Sequence, residues 1–382
     1  MTKPTLAIIV LTILSSVLIS GCNTSSDNTR YGAIRSITDP HEFSITEWEF
    51  GALRHQLWES LKPASQLDAN DVEIVRAYFD LVEQGKQPQS DHEEEVEKIL
   101  ALQIRSVLLE EGITQPADAF VPMKMVFPPV NFKFQAPPNL LVVSPRGEIR
   151  LLRRTTLEPN LTTEEKESIE SEVDSLDYSS FVVGLGGVGF TYPTMVYRTS
   201  DIRRALDIVT EEWFHQYMAF KPLGFLYVLD SAGWRPDYEI ITMNETAAGI
   251  VSKEIAGQVY SKHYGGQAET EPAEKPPSEF RTLMRGIRLT VDVYLAEGKV
   301  EQAEEYMARM RDILASKGYH IRKLNQAYFA FHGTYADDPA TASPIGQDLQ
   351  KLRAQSGSLK EFLDRVSAMT GYDDLKALLD EG

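Results

Sequence analysis

Apolar residues fall three or four apart through "DVEIVRAYFDLVEQG" (71–85) and "EEEVEKILALQIRSVLLEEG" (93–112), and each run ends on a glycine. That spacing predicts two amphipathic helices, each stopped by a residue that tolerates a left-handed backbone. Upstream, Ser44-Ile45-Thr46-Glu47 has the form of a capping box leading into "EWEFGALRHQLWESL", a further helix. The texture then changes to short β-type runs, "MKMVFPPVNFKF", "NLLVVS" and "EIRLLRRTTL", with Pro145-Arg146-Gly147 marking a hairpin turn between the last two. Thr162-Thr163-Glu164-Glu165 opens a charged helix to about Asp177, and "SSFVVGLGGVGF" reads as another strand. Ser200-Asp201 starts a helix that carries "VTEEWFHQYMAF" (209–220). From about residue 242 the pattern is helical again through "NETAAGIVSKEIAGQVY", "EFRTLMRGIRLTVDVYLAEG" and "KVEQAEEYMARMRDILASKG".

This order predicts an α+β fold: a small mixed or antiparallel sheet with a glycine-rich edge strand, packed on a central helix. A helical N-terminal segment (44–122) precedes the sheet and its helices (123–263), and a helical C-terminal half (280–382) follows. Residues 264–279 include "GGQAETEPAEKPPS", a loop composition. No period of 20–50 residues recurs, which argues against a solenoid.

The N-terminus changes the picture. Residues 1–22, "MTKPTLAIIVLTILSSVLISGC", place Lys3 before an apolar run from Leu6 to Ile19 and end in Ser20-Gly21-Cys22. This is the form of a secretion signal. The closing "ISGC" resembles a bacterial lipobox, so the expected mature protein begins at a lipid-modified Cys22, followed by a polar tether (23–43), and sits outside the cytoplasm on a membrane. Cys22 is the one cysteine of the chain, which excludes an intramolecular disulfide and a Cys-ligated metal site. The formal net charge of −18 argues against nucleic acid and anionic lipid surfaces as partners.

"GLGGVG" matches Gly-x-Gly-x-x-Gly at Gly184, Gly186 and Gly189. Dinucleotide binding needs the third glycine to open a helix whose N-terminus holds the pyrophosphate. Here "FTYPTMVY" follows, a poor helix start, so no nucleotide cofactor is expected. A glycine-rich edge strand at Gly186 and Gly187, whose backbone pairs with an extended peptide, suits the composition better.

The central helix carries the chemistry. Residues four apart on a helix share a face, with Cβ atoms about 5–6 Å apart. Glu211 and His215 can therefore ligate one metal ion, with Glu212 beside that face as a base. Glu245, in "TMNETAAGIVSKEI", is the expected third ligand, with Glu254 as second choice. The three side chains should then converge to within about 3–5 Å of one another, since metal–ligand bonds are about 2.0–2.3 Å long. The plain reading of the stretch is a surface helix whose histidine is favoured by its C-terminal position. A di-iron arrangement would need a second Glu-x-x-His, and none stands out.

Taken together, "GLGGVGFTYPTM", "EEWFHQY", "NETAA" and "LNQAYFAFHGTY" make residues 180–336 resemble gluzincin-type metallopeptidases, especially bacterial aminopeptidases of the secreted or lipoprotein kind. The resemblance implies a peptide substrate and a zinc ion held by Glu211, His215 and Glu245, with Glu212 as base. Glu211 departs from the family pattern, which has histidine there, and an oxygen-rich ligand set tilts somewhat towards manganese or iron. Tyr335 and His332 are the candidates for stabilising an oxyanion. Arg281, Arg285 and Arg288 share a helical face, and Arg285 and Arg288 are candidates for binding a substrate carboxylate. The alternative reading is a non-catalytic lipoprotein that keeps a peptide-binding groove.

Overall fold

The computed structural model describes residues 28–43, 69–114, 126–189, 191–231, 234–265, 279–335 and 343–380. The signal, the lipobox with Cys22, the capping box at Ser44 and most of the 264–279 loop lie outside them. Helix α1 (Asn28–Thr38) comes first, then α2 (Ala69–Glu83) and α3 (Ser90–Glu110). Strands β1 (Phe132–Phe134), β2 (Asn139–Pro145) and β3 (Arg153–Leu157) follow, then α4 (Thr163–Asp174), β4 (Tyr178–Gly184), β5 (Gly187–Val188) and β6 (Thr194–Val196). The remainder is helical: α5 (Ile202–Met218), α6 (Pro222–Ser231), α7 (Tyr238–Tyr264), α8 (Glu279–Ala296), α9 (Val300–Ser316), α10 (Gln326–His332), α11 (Ile345–Gln355), α12 (Leu359–Ser367) and α13 (Tyr372–Asp380). The class is α+β, as the sequence pattern predicts.

Among the described residues, two three-stranded sheets stand in place of the single sheet expected. In the first, β2 lies between β3 and β4 and is antiparallel to both. Both faces of β2 are covered, which is why "NLLVV" reads as a continuous apolar run rather than an alternating one. Leu140 and Val142 join Phe181 against α8, α9 and α10, whereas Leu141, Val143 and Val182 pack with α1 and α4. The expected tether through residue 43 is therefore corrected: Ile34 of α1 is fully buried in this second layer. Thr162 closes the capping box on α4, with its side chain and that of Glu165 each accepting the other's backbone N–H.

The second sheet has the order β1-β6-β5, with β1 parallel to β6 and β5 antiparallel to it. The run "SSFVVGLGGVGF" is thus two strands in two sheets, broken at Leu185 and Gly186. After Gly189 the next described element is β6 rather than a helix. This sheet rests on α5, and α5 lies along α7. The Trp213 indole donates to Pro128 O at 2.8 Å, and Gln216 Nε2 donates to Thr191 O at 2.7 Å and Thr194 Oγ1 at 3.0 Å. These bonds fix α5 against the loops at both edges of β6.

Helix α6 has no counterpart in the periodicity reading. Pro222 stands at its first position, where a missing N–H costs nothing. It folds back so tightly on α5 that a Cβ on Gly224 would lie 2.0 Å from Met218 O. None of the helices formed by described residues is long and apolar enough to cross a membrane.

The close approach gives a first test. Gly224→Ala should lower the unfolding free energy by about 3 kcal/mol, the upper part of the range for overpacking, in urea titrations followed by circular dichroism. An unchanged midpoint would mean that the α5–α6 corner is looser than this.

Candidate metal centre

Asp201 caps α5 by accepting the Arg204 N–H, and the helix then presents Asp207, Glu211 and His215 at four-residue intervals towards α7. Helix α7 runs antiparallel, since Asn244 bonds to His215 and Ser252 bonds to Asp207. Asn244 and Glu245 lie within α7, which starts earlier, at Tyr238 under an Asp237 cap. Glu211, His215 and Glu245 each offer one ligand atom, and these atoms all lie within 4.8 Å of one another. The expected convergence is met. His215 Nε2 stands 3.7 Å from Glu245 Oε2.

The surroundings suit a ligand set. His215 is buried, and burial pushes its imidazole pKa down, so the ring stays neutral as a metal ligand must be. Its Nδ1 lies 2.9 Å from Asn244 Nδ2, and Asn244 Oδ1 is buried with no hydrogen-bond partner. The turned amide is nearly isosteric and sets Oδ1 against Nδ1–H, the tautomer that leaves Nε2 for an ion. On the other side the Tyr227 ring stacks on His215, with centroids 5.4 Å apart and planes inclined by 15°. The Tyr227 hydroxyl donates to Glu245 Oε1 at 2.6 Å, which leaves Oε2 to face the imidazole.

Gly187 in β5 and Gly189 just after it explain themselves here. A Cβ at Gly187 would lie 2.5 Å from Glu212 Oε1, and one at Gly189 would lie 2.8 Å from Glu212 Oε2 and 3.1 Å from His215 Cβ. The strand therefore lies directly on the helix, and Gly189 donates its N–H to the Glu212 carboxylate. Gly186 meets no such crowding, its nearest neighbour being the Tyr197 ring at 3.9 Å. Among described residues β5 pairs only with β6, so it is the edge strand the sequence predicts.

Burial raises Glu211 to about 8, helped by the charges of Glu245 and Asp207 and opposed by Arg204 and Lys253. Burial, then Glu211 and Glu245, lifts Glu212 well above the usual carboxylate range. Uncompensated charge in such a place costs several kcal/mol per ion. A divalent cation is the natural compensation, and it would replace the protons that otherwise hold these groups neutral.

Tyr335 reaches the same place. Burial, then the charges of Glu245 and Glu211, keeps its phenol protonated and hence a donor. It also lines a cavity of about 180 Å³ that extends from Glu211 and Glu245 along the α5–α7 groove, past Asp207, Thr246, Ser252, Arg204 and Lys253. The other sequence candidates stand elsewhere. The His332 ring packs on Tyr328 at 4.2 Å and on Phe181 at 6.1 Å. Arg288 binds Asp292 through Nε, Arg281 and Arg285 are exposed on α8, and none of the three lines the cavity. Glu254 is held by both ends of the Arg353 guanidinium. Residues the sequence reading passed over include Tyr227, on the unpredicted α6, and Asp207, legible as the position four before Glu211.

Comparison of the chain with protein-family models, with curated proteins and with solved structures found no match in any of the three.

The raised Glu211 carboxyl sets a sign for the pH dependence of the metal-free protein. Its folded pKa, about 8, exceeds the ordinary 4.5, so the folded state binds the extra proton between these values. The group's stabilising effect is full below pH 4.5 and is lost as pH rises towards 8. With metal chelated, the melting temperature should fall from pH 5 to pH 8, and Glu211→Gln should flatten part of that slope. A slope unaffected by the substitution would place this carboxyl in water.

Proposed function

We propose that the chain is a metal-dependent peptide hydrolase of gluzincin type, its ion held by Glu211, His215 and Glu245. The observation that carries this reading is the convergence of those three ligand atoms within 4.8 Å, beside a glycine-rich edge strand. Zinc suits a mixed imidazole and carboxylate set, with manganese and iron as the other outcomes of a metal analysis. When bound, the ion supplies Lewis acidity that polarises a carbonyl and makes water a better nucleophile. The chain's residues do the rest. Glu212, next to two ligands and raised in pKa, is suited to take a proton near neutral pH. Gly189 N–H fixes its carboxylate. Tyr335, kept protonated, donates to the developing oxyanion. The edge of β5 at Gly187 that no described strand pairs offers backbone groups to an extended peptide. The N-terminal "LISGC" motif supports anchoring at Cys22 by lipid.

Glu212→Gln should leave metal content unchanged while hydrolysis of a peptide library falls at least about 10²-fold, in line with general-base contributions. His215→Ala should lose both metal and activity. Glu211→His should keep or raise zinc affinity, measured by competition with a chelating dye. Equal inactivity of wild type and Glu211→His, with peptides still bound, would favour a binding protein over an enzyme.

For the anchor, the protein expressed in a bacterium should partition into detergent, and Cys22→Ser should abolish that. Recovery of the processed wild type wholly in the aqueous phase would refute lipidation at Cys22.

A further inference from the structure

The cavity leads away from the metal centre towards positive charge. Glu211 and Glu245 form one end of it, and Arg204 and Lys253 lie among its walls. Arg204 precedes Glu211 by two helical turns, about 10 Å at 1.5 Å per residue. Lys253 follows Glu245 by a similar distance along the antiparallel α7, so the two cations are brought to the same end. Asp207 stands between but is already engaged, accepting from Ser252 Oγ at 2.6 Å and from Arg204 at 3.0 Å. Its pairing holds Arg204 over the groove while half of that side chain stays in contact with solvent.

A separate observation points to a missing ligand. Thr246 is 5% exposed, lines this cavity, and its Oγ1 is buried with no hydrogen-bond partner. An unsatisfied buried hydroxyl is costly, and a rotation about χ1 that turns it to the cavity would let a polar group there relieve it. The volume of about 180 Å³ has room for about six waters at liquid density, enough for one carboxylate-bearing residue.

We infer that the α5–α7 cavity is a subsite for a substrate carboxylate, bound by Arg204 and Lys253 with Thr246 Oγ1 as an additional donor. The substrates are then peptides that present a carboxylate to this cavity, which rests on the proposed metal centre only for where the scissile bond lies. Two sources share this chemistry: an acidic side chain near the scissile bond, or a C-terminal carboxylate farther along. Two extended residues span about 7 Å, so a terminal carboxylate reaches the cations only from the second or third residue beyond the metal.

The test uses the full chain, zinc-loaded and, in parallel, freed of metal, with calorimetric titration of three acetylated tripeptides. These are Ala-Ala-Glu amide, Ala-Ala-Gln amide and Ala-Ala-Gln with its C-terminal carboxylate. At least one carboxylate-bearing peptide should bind about tenfold or more tighter than the neutral one, the worth of a charge-assisted hydrogen bond. Which of the two does so identifies the source. Arg204→Gln combined with Lys253→Gln should bring the three affinities to within about twofold, without changing zinc content. Thr246→Val should reduce the preference yet raise the melting temperature of the unliganded protein, because an orphan hydroxyl is removed. Equal binding of all three peptides, or a preference that survives the double substitution, overturns the subsite. A chain that takes up no zinc but keeps the preference disproves the metal centre and leaves the subsite standing; zinc uptake without preference does the reverse.

Discussion

Helix α5 turns its acidic residues inward, and α7 meets them with another, so that Asp207, Glu211 and Glu245 share one groove with Glu212 close by. The cations Arg204 and Lys253 act on Glu211 there, and Arg204 also donates to Asp207. Carboxylates crowded in this way repel, and each resists ionisation. The remaining features of the region follow from holding the groups together despite that. Tyr227 donates to one oxygen of Glu245, Gly189 donates to Glu212, and Ser252 donates to Asp207. Each of these donors stabilises one carboxylate of the group. A dication held by Glu211, His215 and Glu245 would complete the balance.

The fold serves that arrangement through close approach more than through length of contact. Gly187 and Gly189 let β5 touch Glu212, and Gly224 lets α6 reverse onto the end of α5 and bring the Tyr227 ring against His215. A Cβ at Gly187, Gly189 or Gly224 would lie 2.5, 2.7 or 2.0 Å from its nearest neighbour, closer than van der Waals contact allows, so the partner would have to shift. The second sheet is small, with β5 only two residues long, but it is secured to α5 by Gln216 and Trp213 rather than by its own ladder.

Much of the fold was legible in sequence because amphipathic period and caps are local signals. The helices α2, α3, α8 and α9 follow the three- and four-residue spacing, and α4 follows the capping box at Thr162. The i, i+4 relation of Glu211 and His215 is also local, and Glu245 could be proposed from the motif around it. What escaped was set by tertiary contact. Helix α6 is short and its apolar residues lack a clear polar face, so Tyr227 had no visible place. The apolar stretch before Gly186 gave no sign of a change of sheet. Arg285 and Arg288 share a face of α8, but which way that face turns depends on the packing of α8 against β2 and β4, not on their spacing. Residues 28–38 look polar, and only the burial of Ile34 against the sheet reveals a helix that docks.

The molecule has more than one apolar core, and the candidate site straddles two of them. The ligand trio belongs to helices packed in the large core around α5 and α7, whereas Tyr335 comes from the chain just after α10, whose Ala327 and Phe329 are buried with α8 and α9 against the first sheet. Cooperative units of a protein open with different free energies. If the α8–α10 layer is the weaker unit, its transient opening withdraws the phenol and one wall of the cavity while the three ligands stay in place. Amide exchange would register this as an early loss of protection in α10 relative to α7, with ion retention and turnover failing at different temperatures.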